Sequence, residues 1–332
     1  MNNSIIKGIG YHVPSQVVTN DDLSKIMDTS DEWIQTRSGI KERRWVKENE
    51  AASHLAIEAS KKAIMMANVS PEDIDLMVVG TISSDYFFPG VSAQLQAELG
   101  LDKIAAFDLK AACSGFVYSL SVADQFLKTG MYKTALVVGA EAQTKFINKS
   151  TEGRDIAVLF GDGAGAVILE PGDSHSGVLS THLHCDGKDL QYLWMEGPGS
   201  SGACQINIDN IQQNPSHYEP HMNGKKVFQN AVVRFPEVIQ EALDANDLSI
   251  DDVALVIPHQ ANLRIIQAVA KRMNVSVDKF YANLQRYGNT TAASIPIALC
   301  EAYNEGKISK GDIIILAAFG AGFTWASAAI KW

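Results

Sequence analysis

The chain has 332 residues, 46% of them hydrophobic, and a formal charge of -10, so it can bury a large core and is no candidate for disorder. The acidic balance offers no general attraction to phosphate backbones or anionic lipid, which argues against nucleic acid and membrane partners. The opening MNNSIIKGIGYHVPSQ lacks the apolar stretch and cleavage site of a signal peptide, and no run of about 18 apolar residues could span a bilayer, so a cytoplasmic location is expected.

In chain order, an Ala-rich amphipathic helix is predicted over 51–67 and a strand in DLMVVGT (75–81). A helix over 114–128 is apolar nearly all round and therefore belongs in the interior; a strand in TALVVGA (134–140) follows. Residues 186–223 are rich in Gly, Pro, Asn and Gln and read as a long irregular excursion, the place to look for a lid or a pocket wall. Beyond it come helices over 227–245 and 261–273 with charges on one side, and a strand in DVALVIP (252–258). A helix over 292–305 ending at Gly306 and a strand in DIIILAAFG (312–320) complete the series. Strands apolar throughout are buried on both faces, and their alternation with helices predicts an α/β fold.

The chain repeats itself. SLSVADQFLKTGMYKTALVVGA has the pattern of PIALCEAYNEGKISKGDIIILAA, so that 135 aligns with 313, and FGDGAGAVILE aligns with FGAGFTWASAAI, so that 160 aligns with 319. The offset drops from 178 to 159, which leaves 19 extra residues, Arg154 among them, between strand and Gly-rich turn in the first half. The repeat sets Cys113 opposite positions 289–290.

Three places, each read as lying between a strand and a helix, could carry chemistry: Cys113 in AACSGF, His259 in IPHQAN and Asn289 in YGNTTAAS. A cysteine at a helix N-terminus has its thiolate favoured by unpaired N–H groups and the helix dipole, so it can attack a carbonyl near neutral pH, although a buried structural thiol would fit the same position. The glycines of FGDGAG and FGAGF fit a tight hairpin between buried strands better than a phosphate cradle. His182 and His184 share a strand face but have no third ligand nearby, so a polar strand end is expected rather than a metal site. Cys113, Cys185, Cys204 and Cys300 lie far apart without a C-x-x-C pair and are expected to be free thiols.

Taken together, DTSDEWIQTRSGIKERR (28–44), AACSGF, GDGAG, IPHQANLRII (257–266), RYGNTTAAS (286–294) and FGAGFTW (319–325) closely resemble the β-ketoacyl-(acyl carrier protein) synthase III family, from about residue 4 to 332. The resemblance implies a thiolase-like duplicated α/β fold, layered α-β-α-β-α with two similar mixed sheets around buried helices. Its halves would be 1–175, with the cysteine, and 176–332, with the histidine, the asparagine and the excursion at about 186–223.

The implied activity is a decarboxylative condensation of a short acyl-coenzyme A primer with malonyl-acyl carrier protein, through an acyl-cysteine and without a cofactor, initiating fatty acid synthesis. Cys113 would be the nucleophile, a ring N–H of His259 and the amide of Asn289 would hold the enolate, and the backbone N–H groups of Cys113 and Ala321 would receive the second oxyanion. By the same resemblance Trp33, Arg37 and Arg154 contact the adenine and phosphates of coenzyme A. Asn262 and Gly224 would line the pantetheine tunnel, with Phe228 at its mouth. Phe88 would reach across a homodimer interface to close the partner's acyl pocket. Arg264, Lys271 and Arg272 would form a local basic patch for the acidic carrier protein. In one departure, Gln229 stands where relatives can carry a lysine, with Lys225 and Lys226 close by.

Other readings of the same residues are a specialised synthase or acyltransferase of this fold using an unusual acyl group, which the length of 186–223 favours, a Cys/His hydrolase, and a non-catalytic binder of acyl thioesters.

Overall fold

The computed structural model describes residues 3–201 and 208–332; Cys204 lies outside them. Among the described residues, nine strands form the two larger sheets. β1 (Ser4–His12), β2 (Leu76–Gly80), β3 (Ala105–Leu109), β4 (Ala135–Glu141) and β5 (Gly163–Pro171) run in the order β1-β5-β4-β2-β3. β6 (Gly177–Cys185), β7 (Val253–Pro258), β8 (Ile313–Gly320) and β9 (Thr324–Lys331) run in the order β7-β8-β9-β6. Both sheets are mixed: β2 is parallel to β3 and β4, and β7 to β8, while β1 with β5, β4 with β5, β8 with β9 and β9 with β6 are antiparallel.

The apolar runs are explained by burial on both faces, since successive strand residues point to opposite sides. Leu76 and Val78 face the interior between the sheets, where they meet helix α2 (Gly115–Lys128) and helix α5 (Ser294–Asn304), whereas Met77 and Val79 face helix α1 (Ala52–Ala67) outside. In the second sheet Ile314, Leu316 and Ala318 face inward. Ile315, Ala317 and Phe319 pack against helices α3 (Gly224–Asp244) and α4 (Leu263–Arg272). The layers are therefore α-β-α-β-α, with α2 and α5 buried in the middle. Helix α3 begins three residues before the expected 227 because the Asn223 side chain accepts the Lys226 N–H at 3.1 Å and caps it.

The repeat is most exact where each central helix starts. The short 3₁₀ turns Ala112–Ser114 and Thr291–Ala293 precede α2 and α5, and their first residues share a left-handed backbone, φ 44° at Ala112 and 50° at Thr291. Cys113 is thus equivalent to Ala292, and Asn289 lies three residues earlier; the expected match to 289–290 is corrected. Asn289 also follows no strand. It comes after the short helix Leu284–Tyr287 and is held by an isolated bridge to Phe160.

The hairpin expected at both Gly-rich stretches occurs only between β8 and β9. In the first half Gly163 and Gly165 lie inside β5, where a side chain on Gly165 would come within 2.6 Å of Pro296. The 19 extra residues displaced the turn, and these glycines admit α5 instead. The excursion is not wholly irregular: it contains a small sheet of Leu193–Trp194 with His221–Met222 and a helix Ile208–Gln213.

Two strand glycines let the helix-starting turns sit against the sheets. A Cβ on Gly139 would lie 2.5 Å from the Ala292 oxygen, and one on Gly320 would lie 2.7 Å from the Cys113 Cβ. Gly139→Ala is expected to cost about 1–3 kcal/mol through overpacking and to displace the turn that follows Asn289. A depressed thermal midpoint together with weakened malonyl thioester decarboxylation checks this; a variant that matches the parent in both shows that the contact has slack.

Candidate active site

Cys113, His259 and Asn289 line one cavity of about 550 Å³. A second cavity of about 440 Å³ meets the first at Cys113, Phe160 and Leu193. The thiol therefore stands at a junction with a chamber on each side.

Cys113 is held by hydroxyl bonds that cross between the halves. Ser114 Oγ donates to the Thr324 carbonyl at 3.2 Å, and Thr324 Oγ1 donates within reach of the Ala111 and Ala321 carbonyls at 3.3 and 3.0 Å. These bonds tie the cysteine turn to the β8–β9 hairpin and bring the Ala321 N–H to the thiol, beside the N–H of Cys113 itself. Here the expectation of a thiolate at neutral pH needs correction. Burial pushes the Cys113 thiol up to about 12, with Glu141 acting in the same direction, and the two N–H groups only partly offset it. Loss of water outweighs the helix N-terminus.

His259 directly follows β7, its N–H bonded to the Ala317 carbonyl at 2.8 Å, and its Nδ1 lies 2.6 Å from Ser294 Oγ. Ser294 Oγ accepts the Gln260 N–H at 3.4 Å, so its own proton can go to Nδ1, which leaves the ring proton on Nε2, toward the cavity. Burial lowers this imidazole to about 3, so it is neutral at physiological pH. Asn289 is oriented in the same way. Its N–H and C=O bond Leu159 O and Gly161 N at 2.8 and 3.0 Å, and its Oδ1 accepts the Thr291 N–H at 2.9 Å, leaving the NH₂ as the free end of the amide. Two donors and a thiol thus share one buried space.

The other expected residues divide. Gly224, Phe228, Asn262 and Arg264 line the larger cavity, with Lys225 and Gln229 at the same wall. Arg37 and Arg154 both lie over the Trp33 ring, at 4.3 and 5.2 Å, and Asn262 Nδ2 donates to the Arg37 carbonyl at 2.9 Å, which joins that cluster to the cavity. Ala321 lines the smaller cavity, as do Leu193, Trp194, Met195 and Pro198 of the excursion, which here forms a pocket wall. Phe88 reaches neither cavity and is 79% exposed. Arg272 lines a separate groove between α3 and α4, and Lys271 is exposed on α4. His182 and His184 both turn to Glu241, at 3.3 and 2.6 Å. Among the described residues no group of three His, Cys, Asp or Glu side chains could hold a metal ion, and no helix is long and apolar enough to cross a membrane.

Sequence reasoning missed Ser294, Thr324 and Glu141. Ser294 closes the quoted RYGNTTAAS stretch and Thr324 sits in FGAGFTW, so a hydroxyl flanking each reactive motif was the available signal. Glu141, at the end of β4, is raised to about 8 by burial while accepting from the Ile82 N–H, Thr81 and Ser83.

The neutral imidazole has a checkable consequence. Its native value lies below the ordinary 6.5, so between pH 6.5 and 3 the unfolded chain takes up a proton that the folded chain refuses. This contribution to stability is intact above 6.5 and is lost as pH falls toward 3. ¹⁵N-histidine NMR, with His259 assigned through His259→Ala, is expected to show a neutral ring protonated at Nε2 from pH 8 to 5. A midpoint near 6.5, or the proton on Nδ1, would refute the assignment.

The chain matches two family models. Residues 243–332 match the one described as 3-Oxoacyl-[acyl-carrier-protein (ACP)] synthase III C terminal, and residues 107–187 match 3-Oxoacyl-[acyl-carrier-protein (ACP)] synthase III. The Beta-ketoacyl-[acyl-carrier-protein] synthase III of Caldanaerobacter subterraneus subsp. tengcongensis is 47% identical over 98% of this chain and 97% of its own; that of Clostridioides difficile is 46% identical over 98% of each. The crystal structure of 3-oxoacyl-[acyl-carrier-protein] synthase III from Aquifex aeolicus superposes with a TM-score of 0.91 at 42% identity, covering 99% of this chain and 100% of that one. The priming β-ketosynthase of the R1128 polyketide pathway has the same fold, with a TM-score of 0.90, but at 33% identity over 99% of this chain and 96% of its own, so shape alone does not separate the two readings and the higher identities favour the first. By sequence, by domain content and by fold, the chain belongs to the 3-oxoacyl-(acyl-carrier-protein) synthase III family.

Proposed function

We propose that this chain initiates fatty acid synthesis as its family does, with Cys113 as acyl carrier and His259 and Asn289 as the enolate donors. The observation that carries the assignment is that these three side chains line one cavity and that the Ala321 N–H lies at the thiol.

In the first step the Cys113 sulfur attacks the thioester carbonyl of a short acyl-coenzyme A, the Cys113 and Ala321 N–H groups receive the oxyanion, and the carbon–sulfur bond to coenzyme A breaks. The proton lost by Cys113 ends on the coenzyme A thiol, so no base is consumed. That balance suits a thiol that is protonated at rest, and a thioester keeps the acyl carbonyl electrophilic. In the second step a malonyl thioester on acyl carrier protein loses carbon dioxide. The charge that develops on its carbonyl oxygen is held by the Nε2–H of His259 and the NH₂ of Asn289. The carbanion attacks the acyl-Cys113 carbonyl, the 3-oxoacyl thioester leaves on the carrier, and Cys113 recovers a proton from solvent. No cofactor is needed.

The coenzyme A nucleotide is placed at Trp33, Arg37 and Arg154, with its pantetheine along Gly224, Phe228 and Asn262. Among the basic residues proposed for carrier docking, Arg264 stands at the mouth with Lys225 beside Gln229, which favours this side over Lys271 and Arg272. A second copy of the chain is proposed to cover the open edge of β3 and the neighbouring Tyr86 and Phe87, placing its Phe88 at this pocket. A cytoplasmic location is proposed for the reaction.

Cys113→Ser should take no acyl group from coenzyme A. Asn289→Ala should self-acylate normally while malonyl decarboxylation slows by about 10²–10³. Equal loss of both half-reactions in Asn289→Ala would refute the division of roles. Arg264→Glu should raise the carrier-protein KM about ten-fold; an unchanged KM moves the docking site elsewhere.

A further inference from the structure

Glu141 is a buried acid to which the reaction as drawn gives no part. It ends β4, it is 0% exposed, and its partners are hydroxyls and backbone N–H groups rather than a cation. The Ile82 N–H lies 3.3 Å from both carboxyl oxygens, Thr81 Oγ1 lies 3.3 Å from Oε2, and Ser83 Oγ bonds the same oxygen. Ser83 Oγ also accepts the Ala142 N–H at 2.8 Å, so the carboxyl joins the end of β2 to the end of β4. Its remaining partner comes from far along the chain: the Ala292 N–H, in the turn Thr291–Ala293.

That turn is held by β4 at two points. Gly139 and Glu141 point to the same side of the strand. The first leaves room for the Ala292 carbonyl, which a Cβ there would meet at 2.5 Å, and the second receives the N–H of the same residue. The turn needs holding, because Thr291 has φ 50°, a left-handed backbone that a β-branched residue adopts only where its surroundings impose it. The Thr291 N–H is the group that Asn289 Oδ1 accepts at 2.9 Å. A continuous path therefore runs from the Glu141 carboxyl through the Ala292 and Thr291 N–H groups to the Asn289 amide.

We propose that Glu141 is a positioning residue for malonyl decarboxylation, holding the Thr291–Ala293 turn so that the Asn289 NH₂ is aimed at the developing enolate. The inference rests on the reading of Asn289 as an enolate donor and gives Glu141 no contact with substrate. The hydroxyls of Thr81 and Ser83 can donate or accept, so they suit either charge state of the carboxyl, whereas the Ile82 and Ala292 N–H groups require an acceptor oxygen throughout. A side chain without one leaves both N–H groups buried and unpaired, and the turn is freed to relax. The Cys113 turn depends on Glu141 less, because Ser114 and Thr324 tie it to the β8–β9 hairpin. The electrostatic action of Glu141 on Cys113 opposes the thiolate, so removal of the carboxyl gives no electrostatic reason for slower acylation.

The test measures two rates in Glu141→Ala and Glu141→Gln: acetylation of Cys113 by acetyl-coenzyme A, followed by intact mass, and carbon dioxide release when malonyl-acyl carrier protein is added to the acetylated protein. Glu141→Ala should slow carbon dioxide release at least about ten-fold more than it slows acetylation, and Glu141→Gln, which keeps an acceptor oxygen, should recover most of that loss. Equal slowing of the two rates, undiminished carbon dioxide release in Glu141→Ala, or no recovery in Glu141→Gln overturns the inference. If Glu141→Ala does not fold, NMR of the parent and Glu141→Gln decides. The Ala292 backbone amide and the Asn289 side-chain amide should shift together with a midpoint at about 8 in the parent, and neither should do so in Glu141→Gln. An Asn289 signal that ignores this titration overturns the inference as well. Undiminished carbon dioxide release in Asn289→Ala would instead defeat the reading of the site, whatever Glu141 does.

Discussion

The turns Ala112–Ser114 and Thr291–Ala293 meet in the middle of the molecule, each wedged between a strand glycine and the other turn. Gly139 lies under the Ala292 carbonyl and Gly320 against Cys113, while a Cβ on Gly115 would approach the Ala292 Cβ to 3.2 Å. This close approach puts the start of two buried helices, and the backbone N–H groups that belong to those starts, at one point out of water. The hydroxyl bonds of Thr324 and Ser114 then bring the β8–β9 hairpin, with the Ala321 N–H, onto that point. Donor positions fixed in advance cost no reorganisation when charge develops.

Burial also sets the protonation states. The thiol, the imidazole of His259 and the carboxyl of Glu141 are each pushed toward their neutral forms by burial. A neutral imidazole with its proton on Nε2 is a donor and not a base. Glu141 raised to about 8 is largely uncharged at neutral pH, so its unfavourable push on the Cys113 thiolate is small there. These three buried groups hold little charge at rest.

Strands such as 76–80 and 313–320 were legible because burial on both faces leaves no polar position to blur the pattern, and α2 was legible as interior for the same reason. Cys113, His259 and Asn289 stood out because reactive residue types sit among small neighbours at element boundaries. What orients them was not legible, because it depends on contacts between distant residues: Thr324 with Ser114 lies 210 positions apart, and Ser294 with His259 lies 35 apart. The thiol's protonation failed as an expectation for a related reason, since a helix N-terminus can be read from sequence and a closed cavity cannot. The glycines of the first half suggest a hairpin because a tight turn asks for the same residues, whereas here they lie inside β5 and admit α5.

The central claim is that Cys113 carries the acyl group between two thioesters, and peptide mapping after a two-stage reaction tests it most directly. Protein incubated with acetyl-coenzyme A and other short acyl-coenzyme A species should gain one acyl group per chain, on the peptide containing Cys113. Addition of malonyl-acyl carrier protein should then clear that peptide while carbon dioxide and a 3-oxoacyl-carrier product form in equal amounts. An adduct on any other residue, an adduct that survives the carrier protein, or carbon dioxide released without loss of the adduct would contradict the account.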